Sequence, residues 1–314
     1  VVSPSVLVPG HRGPLALRLA TVALRRALRG VVRDGDVIVV MVPWDWPAVN
    51  DLPHRRILDV ADDWPGLIPQ RRAFLERLVS RAMADADGVV VASPKLLPGE
   101  GRERIVLVRN GAGSECLATA PVEPPGGTRA VFVGTISERV DLDLLEGAVL
   151  GLPALRIDLF GPCQFAGHGS APSGQLVALL SRWPERIAWH GPVPRSTVAA
   201  TIDRADIGLL PLHPELARGD AMKVYDYTAR GRPVAAAAGI VDEGLKPVPG
   251  LCEGRGREQF VHAVERALAV PRHERAASRT WAEGNGWHVR WLAWRSVLEG
   301  APAPSSDRED RCAS

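Results

Sequence analysis

The chain has 314 residues, of which 46% are hydrophobic and 24% are charged, and its formal net charge is +2. This length predicts two domains, and the ordinary composition excludes a fibrous or wholly disordered chain. The near-neutral charge excludes a global basic field for nucleic acid, and runs of about 18 uncharged apolar residues, as a membrane-spanning helix needs, are absent.

Short β-branched runs alternate with helical stretches along the chain, the pattern of parallel sheets covered by helices on both faces. The sequence therefore predicts an α/β fold. In the first part, strands are predicted at residues 36–42, 56–60, 88–92 and 104–108, and helices at residues 14–33 and 69–86. The opening residues 1–4 lack a signal peptide and are typical of the interior of a domain.

The helix predicted at residues 15–33 carries a run of arginines on one side. These residues are Arg18, Arg25, Arg26, Arg29 and Arg33, while Leu17, Leu24, Leu28 and Val31 take another side. Such a helix can rest on anionic lipid, or it can present an ordinary solvated basic face. Both interpretations stay open at this point.

Residues 118–128, ATAPVEPPGGT, form a linker with three prolines and two glycines. This boundary defines an N-terminal Rossmann-like domain (1–117), a second Rossmann-like domain (129–270), C-terminal helices (271–299) and a polar tail predicted to be disordered (300–314). Strands of the second domain are predicted at residues 130–133, 156–160, 187–190, 207–211, 233–237 and 247–252. Two such domains face each other across a cleft at the carboxyl ends of their strands, where ligands bind.

The segment 219–236, GDAMKVYDYTARGRPVAA, predicts a helix that ends at Gly231. A helix N-terminus presents unpaired N–H groups and partial positive charge, which suits a diphosphate. Met222 and Lys223 fall in the first turn, and Asp226 lies one turn further, where it can accept hydrogen bonds from ribose hydroxyls. The alternative is a solvated helix with Lys223 and Asp226 as surface charges.

Two further segments carry candidate residues for chemistry. Residues 131–145, VFVGTISERVDLDLL, run from a strand into Gly134, which permits close backbone approach to a phosphate, and then into a helix predicted to carry Arg139. In the first domain, residues 56–67, RILDVADDWPGL, place Asp62 and Asp63 in an acidic loop after a strand. Either acid is a candidate base for an acceptor hydroxyl, with Asp62 preferred, and Asp63 fits equally well as a helix cap.

The four cysteines and the acidic residues indicate no metal or disulfide chemistry. The cysteines, Cys116, Cys163, Cys252 and Cys312, lie far apart without a C-x-x-C spacing, so we expect neither a zinc site nor a disulfide framework, and a reducing cytoplasm. No D-x-D motif lies at a strand end, which favours metal-independent chemistry.

The letters KVYDYTARGRPV resemble the K-[LV]-[YF]-[ED]-Y-x-A-x-G-x-P-V segment of group 1 GT-B glycosyltransferases, including bacterial enzymes of cell-wall and exopolysaccharide assembly. The resemblance covers residues 1–298 and is strongest over 130–237. It implies that Lys223 meets the donor phosphates and that Asp226 holds the ribose. It further implies diphosphate contact by Arg139, and a base contact by the segment after the strand that ends in His190, namely Gly191, Pro192 and Val193.

The resemblance implies a hexosyltransferase that needs no cofactor beyond its co-substrate, a UDP, GDP or TDP sugar. The expected acceptor is a hydroxyl of a lipid-linked glycan, polysaccharide or secondary metabolite, and the expected location is the cytoplasm, at the inner face of the plasma membrane. Relatives begin with a further strand and helix, so the first domain is expected to be incomplete. Arg218 stands where many relatives carry the first glutamate of an E-x7-E pair, so the stereochemistry stays open. A nucleotide-sugar 2-epimerase and a non-catalytic GT-B partner subunit are the alternatives.

Overall fold

The computed structural model describes residues 10–97, 104–166 and 169–300, and the predictions for residues 1–4 and 301–314 lie outside them. Within these ranges the strands form two parallel sheets, one of four strands and one of six. Helices connect successive strands, so the α/β class predicted from the sequence is confirmed.

The helices and strands follow the predicted alternation. The first sheet and its helices comprise α1 (Pro14–Leu28), β1 (Val37–Val40), α2 (Trp46–Val49), β2 (Arg55–Val60), α3 (Trp64–Leu67), α4 (Arg72–Asp85), β3 (Gly88–Val91) and β4 (Ile105–Leu107). The second comprises α5 (Ser114–Leu117), β5 (Arg129–Val133), α6 (Leu142–Gly151), β6 (Arg156–Phe160), α7 (Gly174–Arg182), β7 (Ile187–Trp189), α8 (Val198–Asp203), β8 (Ile207–Leu210), α9 (Met222–Ala229), β9 (Val234–Ala237), β10 (Leu251–Gly254), α10 (Gly256–Leu268) and α11 (Arg272–Gly284). Helix α12 (Trp287–Glu299) follows.

The chain divides into two compact units, with the first boundary between Arg109 and Asn110. Unit 2 consists of Asn110–Ala217 and Ala221–Arg290. Unit 1 contains the chain before that boundary, the short segment Arg218–Asp220 and the chain from Trp291 onward. Each unit contains one of the two sheets.

In unit 1 the strand order is β1-β2-β3-β4, and the sheet is covered on both faces. Side chains of successive residues point to opposite faces, so the buried strands supply two separate clusters. Leu58 and Val89 belong to the cluster on one face, while Ile57 and Val90 pack against Val297 of α12 on the other. Strands β1 and β4 are the edge strands of this sheet, and both carry exposed positions.

In unit 2 the strand order is β10-β9-β8-β5-β6-β7, so β5 lies between β8 and β6. The chain reverses its direction of winding at this point, and ligands bind in the crevice outside the carboxyl ends of such strands. Strands β8 and β9 are buried along their whole length and belong to one continuous hydrophobic cluster. From this topology, a ligand site is expected at the residues that follow β5.

Among the element boundaries that differ from the sequence prediction, three affect charged residues or the last strand. Helix α1 ends at Leu28, so Arg33 lies beyond it. Asp141 accepts hydrogen bonds from the N–H groups of Asp143 and Leu144, which caps α6, and Arg139 therefore lies in the loop before that helix. The last strand begins at Leu251 rather than at residue 247.

The predicted linker is held by arginines in the structure. Arg230 and Arg232, each 1% exposed, and the largely buried Arg279 donate hydrogen bonds to backbone carbonyls of this segment and of the end of α5 that precedes it. The accepting residues are Cys116, Leu117, Thr119, Ala120 and Val122. Because each guanidinium group binds several carbonyls at once, these arginines fix a segment that has little secondary structure of its own.

Candidate functional site

The switch point of unit 2 is marked by two glycines. Gly134 follows β5 with φ 154°, and its N–H donates to Phe160 O at 2.8 Å. A side chain on Gly161, which follows β6 with φ 142°, would overlap the backbone of Gly134. Only glycine allows the two backbone segments to approach so closely at the carboxyl end of β5.

Lys223 occupies the space beside Gly134. A Cβ atom at position 134 would lie only 2.6 Å from Lys223 Nζ, and that ammonium also lies 5.1 Å from the centroid of the Phe132 ring. The aromatic face attracts the cation and steadies it. The structure thus brings together two residues that the sequence predicted separately as phosphate contacts.

Lys223 lies in the first turn of α9, the helix predicted to face a diphosphate. Ala221 at the N-cap has no side chain that can accept a hydrogen bond from the first turn, and Met222 is 38% exposed. The partial positive charge of the helix start therefore adds to the charge of the lysine. Anions bind at such helix starts.

Asp226 lies one turn further along α9 and is mostly buried. Its Oδ1 accepts a hydrogen bond from Gly113 N at 3.1 Å, and the buried Cys116 thiol donates a second one. Burial raises the pKa of Asp226, while the Gly113 N–H, the Arg195 charge and the Cys116 thiol act in the opposite direction. Burial, together with Asp226, raises the pKa of Cys116 to about 12, so this thiol stays protonated and can donate.

Two charged residues beside Asp226, Arg195 and Glu115, were not predicted from the sequence. Arg195 Nε donates to Glu115 Oε1 at 3.2 Å. A Cβ at Gly113 would lie 2.7 Å from Arg195 Nη2 and 3.2 Å from Asp226 Oδ1, so both charged groups lie against the same glycine. Arg195 follows the predicted base-contacting residues, but its separation from α9 along the chain left no local signal.

The other predicted donor residues have varied surroundings. His190 is bound to β6, because its Nε2 lies 2.7 Å from Asp158 Oδ1 and its ring stacks on Phe160 at 4.5 Å. Gly191 adopts φ 76° and accepts a backbone hydrogen bond from Gly161. Val193 and Arg139 are half-buried loop residues.

In unit 1 the acidic residues of the loop after β2 make contacts with other residues of the same unit. Asp63 caps α3, accepting a hydrogen bond from Gly66 N at 3.2 Å, and it lies 3.7 Å from Arg218 Nη1. Asp62 packs beside Gly219, since a Cβ there would lie 3.3 Å from Asp62 Oδ1. The capping alternative for Asp63 thus has a structural basis.

Asp59, inside β2, is the acid of this region whose proton affinity departs most from the ordinary value. Burial raises its pKa to about 6. Burial also raises the pKa of Asp45, which follows β1, beside Trp44 whose ring lies 5.0 Å from that of Trp64. Asp59 could have been found from the sequence, because it places a carboxyl group at an inward position of a buried strand.

Within the described ranges, no group of three or more His, Cys, Asp or Glu side chains is arranged to hold a metal ion. Nor is any helix in that part of the chain long and apolar enough to cross a membrane.

Solved structures with this architecture include sucrose-phosphate synthase from Thermosynechococcus elongatus, at TM-score 0.74 and 14% identity, covering 91% of this chain and 78% of that protein. HepE from Anabaena, solved with UDP-glucose, gives TM-score 0.70 and 13% identity over 92% and 84% of the two chains. The chain has the GT-B fold. WaaG, a glycosyltransferase involved in lipopolysaccharide biosynthesis, gives TM-score 0.59 and 15% identity over 94% and 84%. No family model matches the chain, and no curated protein matches it significantly.

Proposed function

We propose that the protein is a glycosyltransferase that moves a hexosyl group from a nucleoside diphosphate sugar to a hydroxyl acceptor. The observation that carries this proposal is the placement of Lys223 against Gly134, at the switch point of a GT-B sheet and at the start of α9. An ammonium and a helix N-terminus beside a residue without a side chain form a site for a diphosphate.

Charge stabilisation of the leaving group is the main catalytic contribution we assign to unit 2. When the glycosidic bond to the donor breaks, negative charge grows on the diphosphate, and fixed cations lower the energy of that state. Lys223 supplies one cation, and Arg139, in the loop that follows Gly134, supplies a second. In this proposal the two side chains and the helix start perform the task without a metal ion.

The nucleoside end of the donor lies toward Asp226 in this proposal. A carboxylate accepts hydrogen bonds from the two ribose hydroxyls, and the loop of Gly191 and Val193 lies beside the base, which is uracil, guanine or thymine. His190 orients the start of that loop through its bond to Asp158.

On the acceptor side we assign the base to Asp62. Asp63 is engaged in capping α3 and lies close to Arg218, so its carboxylate is less available for proton transfer. A base must lie within hydrogen-bond reach of the proton that it removes. Asp62, which follows β2 and lies beside Gly219, is the acid to test when an acceptor is known.

The proposed acceptor is a lipid-linked glycan, because α1 exposes apolar side chains. Leu15, Leu19 and Val22 are 72%, 58% and 68% exposed, and they recur at i, i+4 and i+7 on one stripe of the helix. Exposed arginines, including Arg18 and Arg26, lie on the same helix. Apolar and basic residues together favour contact with an anionic membrane surface, and we place the enzyme at its cytoplasmic side.

The proposal is tested by titrating UDP, GDP and TDP calorimetrically into the protein and its Lys223→Ala variant. We expect one nucleotide to bind and the variant to weaken it at least about tenfold, which is about 1.4 kcal/mol. Lys246→Met is the matched control, because Lys246 belongs to the same unit and pairs with Glu243 and Glu253. If Lys223→Ala left the affinities for all three nucleotides unchanged, the proposed diphosphate site would be wrong.

A non-catalytic GT-B partner subunit is the second candidate, and Arg218 is the observation that favours it. Its guanidinium donates to Lys95 O at 2.6 Å and lies near Asp63, so a structural cation stands where many relatives carry an acid. Nucleotide binding that depends on Lys223, combined with neither hydrolysis nor transfer across a panel of acceptors, would select this candidate.

A further inference from the structure

Asp226 is surrounded by charged and hydrogen-bonding groups from two other segments of unit 2. The segment that begins at Gly113 supplies a backbone N–H and the Cys116 thiol, and the turn before α8 supplies Arg195. Glu115 joins the two segments, because its carboxylate accepts a hydrogen bond from Arg195 at 3.2 Å. The acid assigned above to the ribose is thus the centre of a network.

Gly113 allows the two charges of this network to approach each other. Arg195 Nη2 and Asp226 Oδ1 both lie within contact distance of the point where a side chain at position 113 would begin. Glu115 Oε2 would lie 3.0 Å from the same point, so one guanidinium and two carboxylates meet at the space that Gly113 leaves. The Arg195 side chain is 54% exposed, whereas Asp226 is mostly buried, so the cation lies on the more open side of the acid.

We propose that Arg195 is a positioning residue of the donor site, which holds the Asp226 carboxylate as an anion, and that Glu115 weakens this effect by drawing the guanidinium toward itself. The inference rests on the proposed function, in which Asp226 accepts hydrogen bonds from the ribose. An ionised carboxylate only accepts, whereas a protonated one must donate with one oxygen and cannot hold two hydroxyl donors in the same way.

The groups around Asp226 act on its proton affinity in opposite directions. Burial raises its pKa and is the largest influence; the Gly113 N–H, Arg195 and Cys116 lower it, and Glu115 raises it. The cations in α9 and directly after it have other partners. Lys223 lies over Phe132, and Arg230 pairs with Asp203. From α11, the Arg279 guanidinium donates to backbone carbonyls of Cys116, Leu117 and Ala229.

This arrangement predicts opposite effects for two substitutions at one ion pair. Arg195→Met removes the cation, so the Asp226 carboxyl should titrate at higher pH. Glu115→Gln removes the anion and frees the guanidinium, so the same carboxyl should titrate at lower pH. Shifts of about half a pH unit or more are expected for charges at this range. Arg195→Lys retains the charge and should restore most of the original titration.

The experiment measures the Asp226 carboxyl directly by carbon-13 NMR of the full chain with labelled aspartate, assigned by Asp226→Asn. In parallel, the affinity for UDP, GDP and TDP is measured against pH. The acid limb of binding should move with the carboxyl titration, upward for Arg195→Met and downward for Glu115→Gln. Ionisation of the diphosphate is common to all variants and cancels in their comparison. Arg272→Met, which breaks an exposed pair with Glu123 in the same unit, should move neither quantity.

The outcomes separate the inference from the function on which it rests. Superimposed carboxyl titrations in the wild type, Arg195→Met and Glu115→Gln would overturn the inference whatever the nucleotide data show. Displaced titrations with an unmoved binding limb would also overturn it, because Asp226 would then not hold the nucleotide. The Lys223→Ala titration is decided independently, since its result does not depend on the ionisation of Asp226.

Discussion

The two units place charged side chains at the carboxyl ends of parallel strands in different ways. In unit 2 Lys223 fills the space that Gly134 leaves, beside a helix start without a side-chain cap. In unit 1 Asp63 caps a helix and lies close to Arg218, so its negative charge is compensated within the protein. A charge held next to a backbone that only glycine can form indicates a ligand site, whereas an acid in a loop is often a structural residue.

The two units also differ in how their hydrophobic cores are packed. Unit 2 has one continuous hydrophobic cluster, and buried arginines fix the segment that leads into its first strand. Unit 1 has a separate cluster on each face of its sheet, and its edge strands are partly exposed. We therefore expect unit 2 to be the more stable of the two units, and the following substitutions test that difference.

Arg230→Met is expected to have the largest effect, because it removes a cation that is 1% exposed. Its guanidinium binds Asp203 Oδ1 at 3.0 Å and the carbonyls of Thr119 and Ala120 at 2.7 and 2.9 Å. Breaking a buried pair leaves its partner uncompensated, which costs about 3–5 kcal/mol. We expect the thermal midpoint of unit 2 to fall by about 10 °C, measured by calorimetry.

Arg272→Met provides the comparison for this prediction. Its guanidinium pairs with Glu123 at 2.6 Å, but both side chains are exposed, so the loss should stay within about 1 kcal/mol. Equal midpoints for the two variants would show that the buried arginines do not stabilise unit 2.

Gly134→Ala tests whether the missing side chain is what makes the donor site. The new methyl group would lie 2.6 Å from Lys223 Nζ at a φ of 154°, so the lysine must move. We expect at least about tenfold weaker nucleotide binding. In a double variant with Lys223→Ala, the loss of binding free energy should be smaller than the sum of the two single losses, because the two residues form one site.

Gly174→Ala is the matched control, since a Cβ there meets nothing within 4 Å. Its nucleotide affinity should equal that of the wild type. If Gly134→Ala and Lys223→Ala instead reduced the affinity independently and additively, the two residues would not form one site.

The fold could be predicted from the sequence because its strands are buried runs bounded by turn residues. The run Arg156–Phe160 was predicted to the residue, and Val234–Ala237 to within one. The last strand was placed too early, because Pro247 and Pro249 lack an N–H and cannot donate to a ladder. Local signals therefore fixed most of the strands.

The site was only partly predictable, because some of its contacts join distant segments. Gly134 and Lys223 each follow a recognisable pattern, and both occur together in the structure. The contact of Gly113 with Asp226 spans 113 positions, and nothing near Arg195 indicates its partner. The segment fixed by Arg230 was interpreted as a linker, because the binding of backbone carbonyls has no sequence signature.

Asp59→Asn extends the comparison to the acids of unit 1. The folded-state pKa of about 6 exceeds the ordinary value of 3.8, so the native state binds this proton more tightly than the unfolded chain does. Its contribution to stability is therefore complete below pH 4 and is lost as the pH rises through 6. We expect the variant to gain up to about 2 kcal/mol on the wild type between about pH 4 and pH 7, from urea unfolding.

Asp87→Asn should show the opposite slope. Burial acts to raise the pKa of Asp87, but hydrogen bonds from Arg56 lower it overall, so its contribution is present at neutral pH and lost on acidification. If Asp59→Asn changed stability by the same amount at every pH, the carboxyl would not be held in a desolvated position.

The smallest effect is expected at the surface of unit 1, where Leu15, Leu19 and Val22 are exposed on α1. Replacing all three by serine should reduce binding to vesicles of phosphatidylglycerol severalfold in a flotation assay, because apolar burial in the interface is lost. Serine at the exposed Leu150 and Val177 of unit 2 is the control and should leave flotation unchanged. Binding to neutral phosphatidylcholine should be weaker, and salt should weaken the anionic case. Flotation that is equal for the two serine variants would remove the membrane from the proposal while leaving the donor site untouched.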